Sequence, residues 1–150
     1  MSNRTVIEVL NTLIETCKDG EYGFNECAEH AQAGQLKALF NNRALECRAA
    51  ALELQQIVAA SGGEPDTSGT VSGALHRGWV SLRSALPGDD NVAMLNEAER
   101  GEDKALQRYR EALFQPLPSD VRIVVQRQLA GVQRNHDQIR LLRDQYRAVA

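Results

Sequence analysis

Apolar residues return at three- and four-residue steps in four long stretches of the chain, and nowhere do they alternate in the two-residue rhythm of a strand. The first stretch runs Val6, Leu10, Leu13, Cys17, Phe24, Ala28 and Ala31 before Gly34 stops it, with Thr5 and Glu8 at capping-box spacing near its start. The second, from about Gln35 to Ala60, carries Leu36, Phe40, Cys47, Ala50, Leu54 and Ile57, and Ser61, Gly62 and Gly63 close it with a C-terminal glycine signal. The third follows Pro87, Gly88 and Asp89, where an aspartate can cap, and ends before Pro116 and Pro118. The fourth opens on Ser119 and Asp120, another N-cap signature, and shows Val125, Leu129, Val132, Ile139, Leu142 and Tyr146. Stretches of about 25 to 30 residues make helices about 40 Å long.

The connections set the topology. Only a few residues around Gly34 separate the first two helices, so they are expected to lie antiparallel as neighbours, and the short Pro-rich turn makes the last two antiparallel as well. Between the pairs stands EPDTSGTVSGALHRGWVSLRSALPG, which holds a short amphipathic piece (Leu75, Trp79, Leu82, Leu86). About 25 residues can cross a 40 Å bundle even with a helical turn or two among them, and loops of that length without a role are uncommon. The segment is therefore expected to be a crossover that sets helix three parallel to helix two. The predicted fold is all-α, a single four-helix-bundle domain over residues 1–150 with one long crossover between helices two and three, which is the ferritin-like topology.

Composition adds exclusions. With 43% apolar and 25% charged residues, the chain has the profile of an ordinary globular protein. A net charge of −3 advertises no basic face for a nucleic-acid backbone. No apolar run approaches the roughly 18 residues of a membrane span, and MSNRTVIEVLNTL lacks the h-region of a secretory signal. Cys17, Cys27 and Cys47 are odd in number and show no CxxC spacing, which predicts reduced thiols in the cytoplasm and no disulfide frame or zinc site.

Polar residues interrupt the apolar stripes at one level. Continued at helical spacing, the stripes meet Glu21 between Cys17 and Phe24, Arg43 and Glu46 between Phe40 and Cys47, Glu99 and Glu102 in AMLNEAERGEDKALQRYREAL, and His136 between Val132 and Ile139. With helices running up, down, down and up, these positions fall within a few ångströms along the axis. Gly20, Gly23, Gly101 and Gly131 interrupt the helices near the same height, each at a cost of about 1 kcal/mol relative to Ala; they predict close backbone approach or room for a large neighbour, Arg43 or Trp79.

The runs LNEAERGEDKALQRY, SGALHRGW and GGEP resemble a family of uncharacterised bacterial ferritin-like four-helix-bundle proteins, a domain of unknown function, over nearly the whole chain. The resemblance implies the fold and brings no activity with it. The wider ferritin-like group implies a di-iron or di-manganese centre built from a Glu on each of two helices and Glu-x-x-His on each of the other two. This sequence departs from that pattern. Glu46 is followed three residues later by Ala49, and His136 is preceded by Gln133. Glu99 and Glu102, with Glu21 or Glu26, remain as carboxylate ligands, but Arg43 would compete with a cation for them and cannot give up its charge.

The favoured expectation is thus a polar network of Arg43 with these acids and His136, fixing helix register in a non-catalytic structural or interaction protein, stress-related by analogy, with no cofactor. The alternative is an iron-handling protein or oxidase with a degenerate iron or manganese site of Glu21, Glu46, Glu99, Glu102 and His136. An unidentified protein partner, or a homo-oligomer through helix faces or the Trp79 region, is expected. GALHRGW holds His76, Arg77 and the only Trp; it reads as a staple of the crossover onto the bundle or as a partner patch. The cysteines lie near apolar stripes as packing groups, His30 is expected to be exposed, and RNHDQIRLLRDQYR is a solvated helix face. No phosphate loop, triad or groove-reading module is visible.

Overall fold

The structure, a computed structural model, describes residues 2–69 and 91–149. Helices α1 (Asn3–His30), α2 (Gly34–Ala60), α3 (Asn91–Leu113) and α4 (Ser119–Ala148) make up the described residues with their connections, and no strand occurs among them. The amphipathic piece at Leu75, Trp79, Leu82 and Leu86, the GALHRGW patch and the cap at Asp89 lie outside the described residues.

Helix ends follow local chemistry with two departures from the sequence reading. Ser2, not Thr5, caps α1: its Oγ accepts from the Thr5 amide at 3.2 Å, and Glu8 pairs with Arg4 instead of closing a capping box. At α4, Ser119 is the first helical residue and Pro118 holds the cap position without a side-chain bond. Proline fits there because the first helical amides have no intrahelical partner to lose. Gly62, with φ +83°, ends α2 in the left-handed conformation that glycine adopts freely.

Contacts fix the directions. Asn3 Nδ2 donates to Ser61 O at 2.6 Å at one end of the α1–α2 pair, and Lys37 Nζ donates to Ala28 O at 2.9 Å at the other. Arg122 reaches the Leu113 carbonyl across the α3–α4 turn, which makes that pair antiparallel too. One apolar cluster joins Val6–Cys17 of α1, Ala51–Val58 of α2, Leu106–Ala112 of α3 and Val121–Val132 of α4. A second joins Phe24–Ala31, Leu36–Cys47, Leu95 and Ala98, and Ile139 and Leu142. Rising numbers in α2 and α3 therefore run the same way, as the crossover requires, and the bundle is up, down, down, up.

The start of the crossover is an extended strap over α1. Gly63 sits against Ile7 and Gly69 against Asp19. Asn11 holds the strap from both sides of its amide: Nδ2 donates to Glu64 O at 3.1 Å, and Oδ1 accepts from the Asp66 amide at 2.9 Å. Gln55 of α2 donates to Asp66 O at 2.8 Å. No helix among the described residues is long and apolar enough to cross a membrane.

Candidate functional site

Arg43 stands three residues after Phe40 and four before Cys47, so α2 turns its guanidinium into the bundle. There it is 6% exposed and meets Glu102 of α3, which is 2% exposed. Nε donates to Oε2 at 3.0 Å and Nη2 to Oε1 at 3.2 Å, a two-bond fork that a lysine cannot reproduce. Nη1 reaches Glu46 Oε2 at 3.4 Å, and Asn135 Nδ2 of α4 donates to the same oxygen at 3.1 Å. From α1, the Phe24 ring lies 5.8 Å from the guanidinium carbon and stacks on Phe40 with centroids 6.1 Å apart. Residues of α1, α2 and α3 thus meet at the Arg43 side chain, and α4 joins the network through Glu46, at the junction between the two apolar clusters.

Burial pushes the Glu102 carboxyl above its ordinary value, and the Arg43 charge offsets only part of that. Burial also acts against the charge of Arg43, yet the carboxylates of Glu102 and Glu46 beside it hold it protonated. A bidentate buried pair of this kind spans the diagonal of the bundle and fixes which faces α2 and α3 turn toward each other.

A second polar line lies beside the first. Tyr109 O–H donates to Gln128 Oε1 at 2.7 Å, so the Cys17 thiol, 3.1 Å from the phenol oxygen, is the donor in that contact. Gln128 Nε2 donates to Glu53 Oε1 at 2.8 Å, and Glu53 pairs with Arg127 at the surface. Burial pushes the Cys17 thiol up to about 11 and raises Cys47 and Tyr109 as well. These groups stay neutral near pH 7, which suits packing and not nucleophilic chemistry. All three cysteines are free and buried.

The structure brings only part of the expected layer together. Arg43, Glu46 and Glu102 form one network. His136 lies beside it, with Nε2 at 2.7 Å from Asp103 and 3.8 Å from Glu99, and Nδ1 at 3.2 Å from Asp137. Glu99 is instead paired with Arg143. Glu21 stands apart, half-buried and 3.3 Å from Lys18. His30 is half-buried, contrary to expectation, and pairs with Glu26 at 3.4 Å. Sequence reasoning missed Asn135 and Gln128, both buried. Their signal was spacing: Asn135 is three residues after Val132 and four before Ile139, and Gln128 stands likewise between Val125 and Val132.

The glycines behave differently from one another. A Cβ on Gly20 would come within 2.9 Å of Cys47 Sγ, so the close neighbour there is Cys47 and not Arg43. Cβ atoms on Gly23 and Gly101 would meet nothing within 4 Å. Both border a cavity of about 950 Å³, lined also by Gly20, Gly131, Tyr109 and Arg43.

These residues do not fit a dinuclear metal centre. Both Glu102 oxygens accept from Arg43, a Glu46 oxygen accepts from Arg43 and Asn135, and a guanidinium stands where cations would sit. Among the described residues, His136 is the one imidazole near this level. A separate group, Glu26, Glu29 and His30 near the end of α1, brings two carboxylate oxygens and an imidazole nitrogen within 4.8 Å of one another.

Comparison with solved structures supports the fold. Over 99% of this chain and 90% of the other, the bundle superposes with a TM-score of 0.77 and 19% identity on the dodecameric thioferritin of Bacteroides fragilis, a bacterioferritin-related protein. Over 95% and 99% it matches a ferritin-like, diiron-carboxylate protein of Bacillus anthracis with a TM-score of 0.73 and 19% identity. No curated protein matches the sequence. Residues 5–115 match the family described as a domain of unknown function, DUF2383. With its ferritin-like four-helix bundle, the chain belongs to that family.

Proposed function

We propose that this chain is a non-catalytic member of the ferritin-like fold, a cytoplasmic structural or interaction protein in which an ion-pair layer stands in place of a di-metal centre. One observation carries the reading: the Arg43 guanidinium occupies both oxygens of Glu102 while contacting Glu46 and Phe24. Fixing helix register is the best-attested use of such buried charge. Assembly into a homo-oligomer suits this role and parallels the dodecamer of the thioferritin neighbour.

The test is elemental analysis after loading with ferrous iron and manganese. The expected result is no stoichiometric metal. Two equivalents per chain, lost in Glu102→Ala, would overturn the reading in favour of a di-metal site like that named for the diiron-carboxylate neighbour, in an iron-handling protein or oxidase. The second reading, a mononuclear iron or manganese site, is favoured by the Glu26, Glu29 and His30 group. It predicts one equivalent, lost in His30→Ala and retained in Glu102→Ala.

A further inference from the structure

The outer face of α2 differs from those of the other helices. On α3 the exposed surface carries Arg100, Asp103, Lys104 and Arg110, and on α4 the exposed Ile123 and Leu141 stand far apart with Arg127, Arg134, Asp137 and Arg140 between them. On α2, opposite the buried Phe40, Arg43, Cys47 and Leu54, the exposed stripe is uncharged from Ala38 to Ala59. Leu45 is 62% exposed and Leu52 49%. Ala38, Leu45, Leu52 and Ala59 stand at seven-residue intervals, the spacing that keeps one helix edge facing a partner helix.

Set in a heptad, these four take the d positions, and Asn42, Ala49 and Gln56, all exposed, take the a positions. Leucine at d is the preference of two-stranded parallel coils, and a polar residue at a fixes register. The flanks carry opposite signs: Arg48 at g on one side, Glu46 and Glu53 at e on the other. In a parallel pair, g of one helix faces the e position five residues later on its mate, which sets Arg48 beside the partner's Glu53. An antiparallel pair would set the basic flank against itself and the acidic flank against itself. Glu53 already accepts from Arg127 and Gln128, and the second copy's arginine would be its third donor.

We infer that the exposed face of α2 is the docking surface for a second copy of this chain, forming a parallel two-helix seam through Leu45 and Leu52. The inference goes beyond the ion-pair layer, and its test reads association, not metal, so the two fail separately. Light scattering on the eluting protein should give at least twice the chain mass. Leu45→Lys/Leu52→Lys should elute at a lower assembly state with an unchanged circular dichroism spectrum, while Leu141→Lys on α4 should leave assembly as it was.

Orientation is read by crosslinking. Leu52→Cys alone should oxidise to a disulfide-linked dimer, because like d positions face each other only in a parallel pair; the native cysteines are buried. A monomeric parent, assembly indifferent to the double substitution, or crosslinking of Leu52→Cys only in mixtures with Ala49→Cys, as an antiparallel pair setting d against a would give, would each overturn the seam.

Discussion

Two side chains show how burial and charge divide the work within this bundle. Removing one partner of a buried ion pair leaves the other uncompensated, so Arg43→Ala is expected to destabilise the fold by about 3–5 kcal/mol. Replacing both partners, as in Arg43→Met with Glu102→Leu, should recover most of that, since apolar substitutes of similar volume are often neutral or better. Urea midpoints at constant slope would measure both; if the single variant unfolds like the parent, the ion pair is not what holds the centre. Glu15 provides the pH-dependent case. Burial, the hydrogen bond that the protonated Glu15 carboxyl donates to Asp66, and the charges of Asp66 and Asp19 raise it to about 7 from an ordinary 4.5. The folded state therefore holds a proton that the unfolded chain has released. Its contribution is full below pH 4.5 and lost as pH rises through about 7. Glu15→Gln, which cannot ionise, should gain in melting temperature relative to the parent across that window, and a flat difference would refute the shift.

At the scale of a helix, the sequence left one recurring ambiguity. The element boundaries and their order were legible because periodicity, glycines and prolines punctuate the chain, and Arg43 and Glu102 stood out as charges inside apolar stripes. Between two stripe residues seven apart, however, either i+3 or i+4 continues the line. Between Cys17 and Phe24 the buried line passes Gly20, and Glu21 is left on the flank. Between Val132 and Ile139 it passes Asn135, and His136 turns toward Asp103. Where a smaller or uncharged residue competes for the inner position, burial selects it, since a charge costs more to desolvate. Adjacent residues of similar helical phase cannot be ranked without knowing the neighbouring helix. The glycines give a matching prediction. Gly23→Ala and Gly101→Ala face open space and should each stabilise by about 0.5–1 kcal/mol through helix propensity. Gly20→Ala meets Cys47 Sγ at 2.9 Å and should destabilise by about 1–2 kcal/mol as the core readjusts. Melting curves of the three variants would separate them; equal shifts would deny the close approach of α1 and α2.

Across the whole molecule, two apolar clusters sit end to end, with the Arg43–Glu102 pair at their junction and the Tyr109 line within the first. The four helices gain their order from the apolar clusters and their register from the polar junction, so a loss at Arg43 should be felt at both ends. The crossover's length, read from sequence, required α2 and α3 to run in parallel, and the clusters show that they do. Its path over α1 was not legible, because nothing in EPDTSG marks Asn11 as its anchor.

That anchor has a temporal consequence. The Asp66 amide is held by a side chain in the middle of α1 and not by its own helix, so its hydrogen can exchange with solvent whenever the strap lifts, without any helix opening. In deuterium exchange, Asp66 should be protected in the parent and exchange much faster in Asn11→Ala, while the amides of Leu10 and Leu13 keep their protection. If all of them accelerate together, strap and helix open as one unit, and the crossover is part of the bundle's first cooperative block to form or fail.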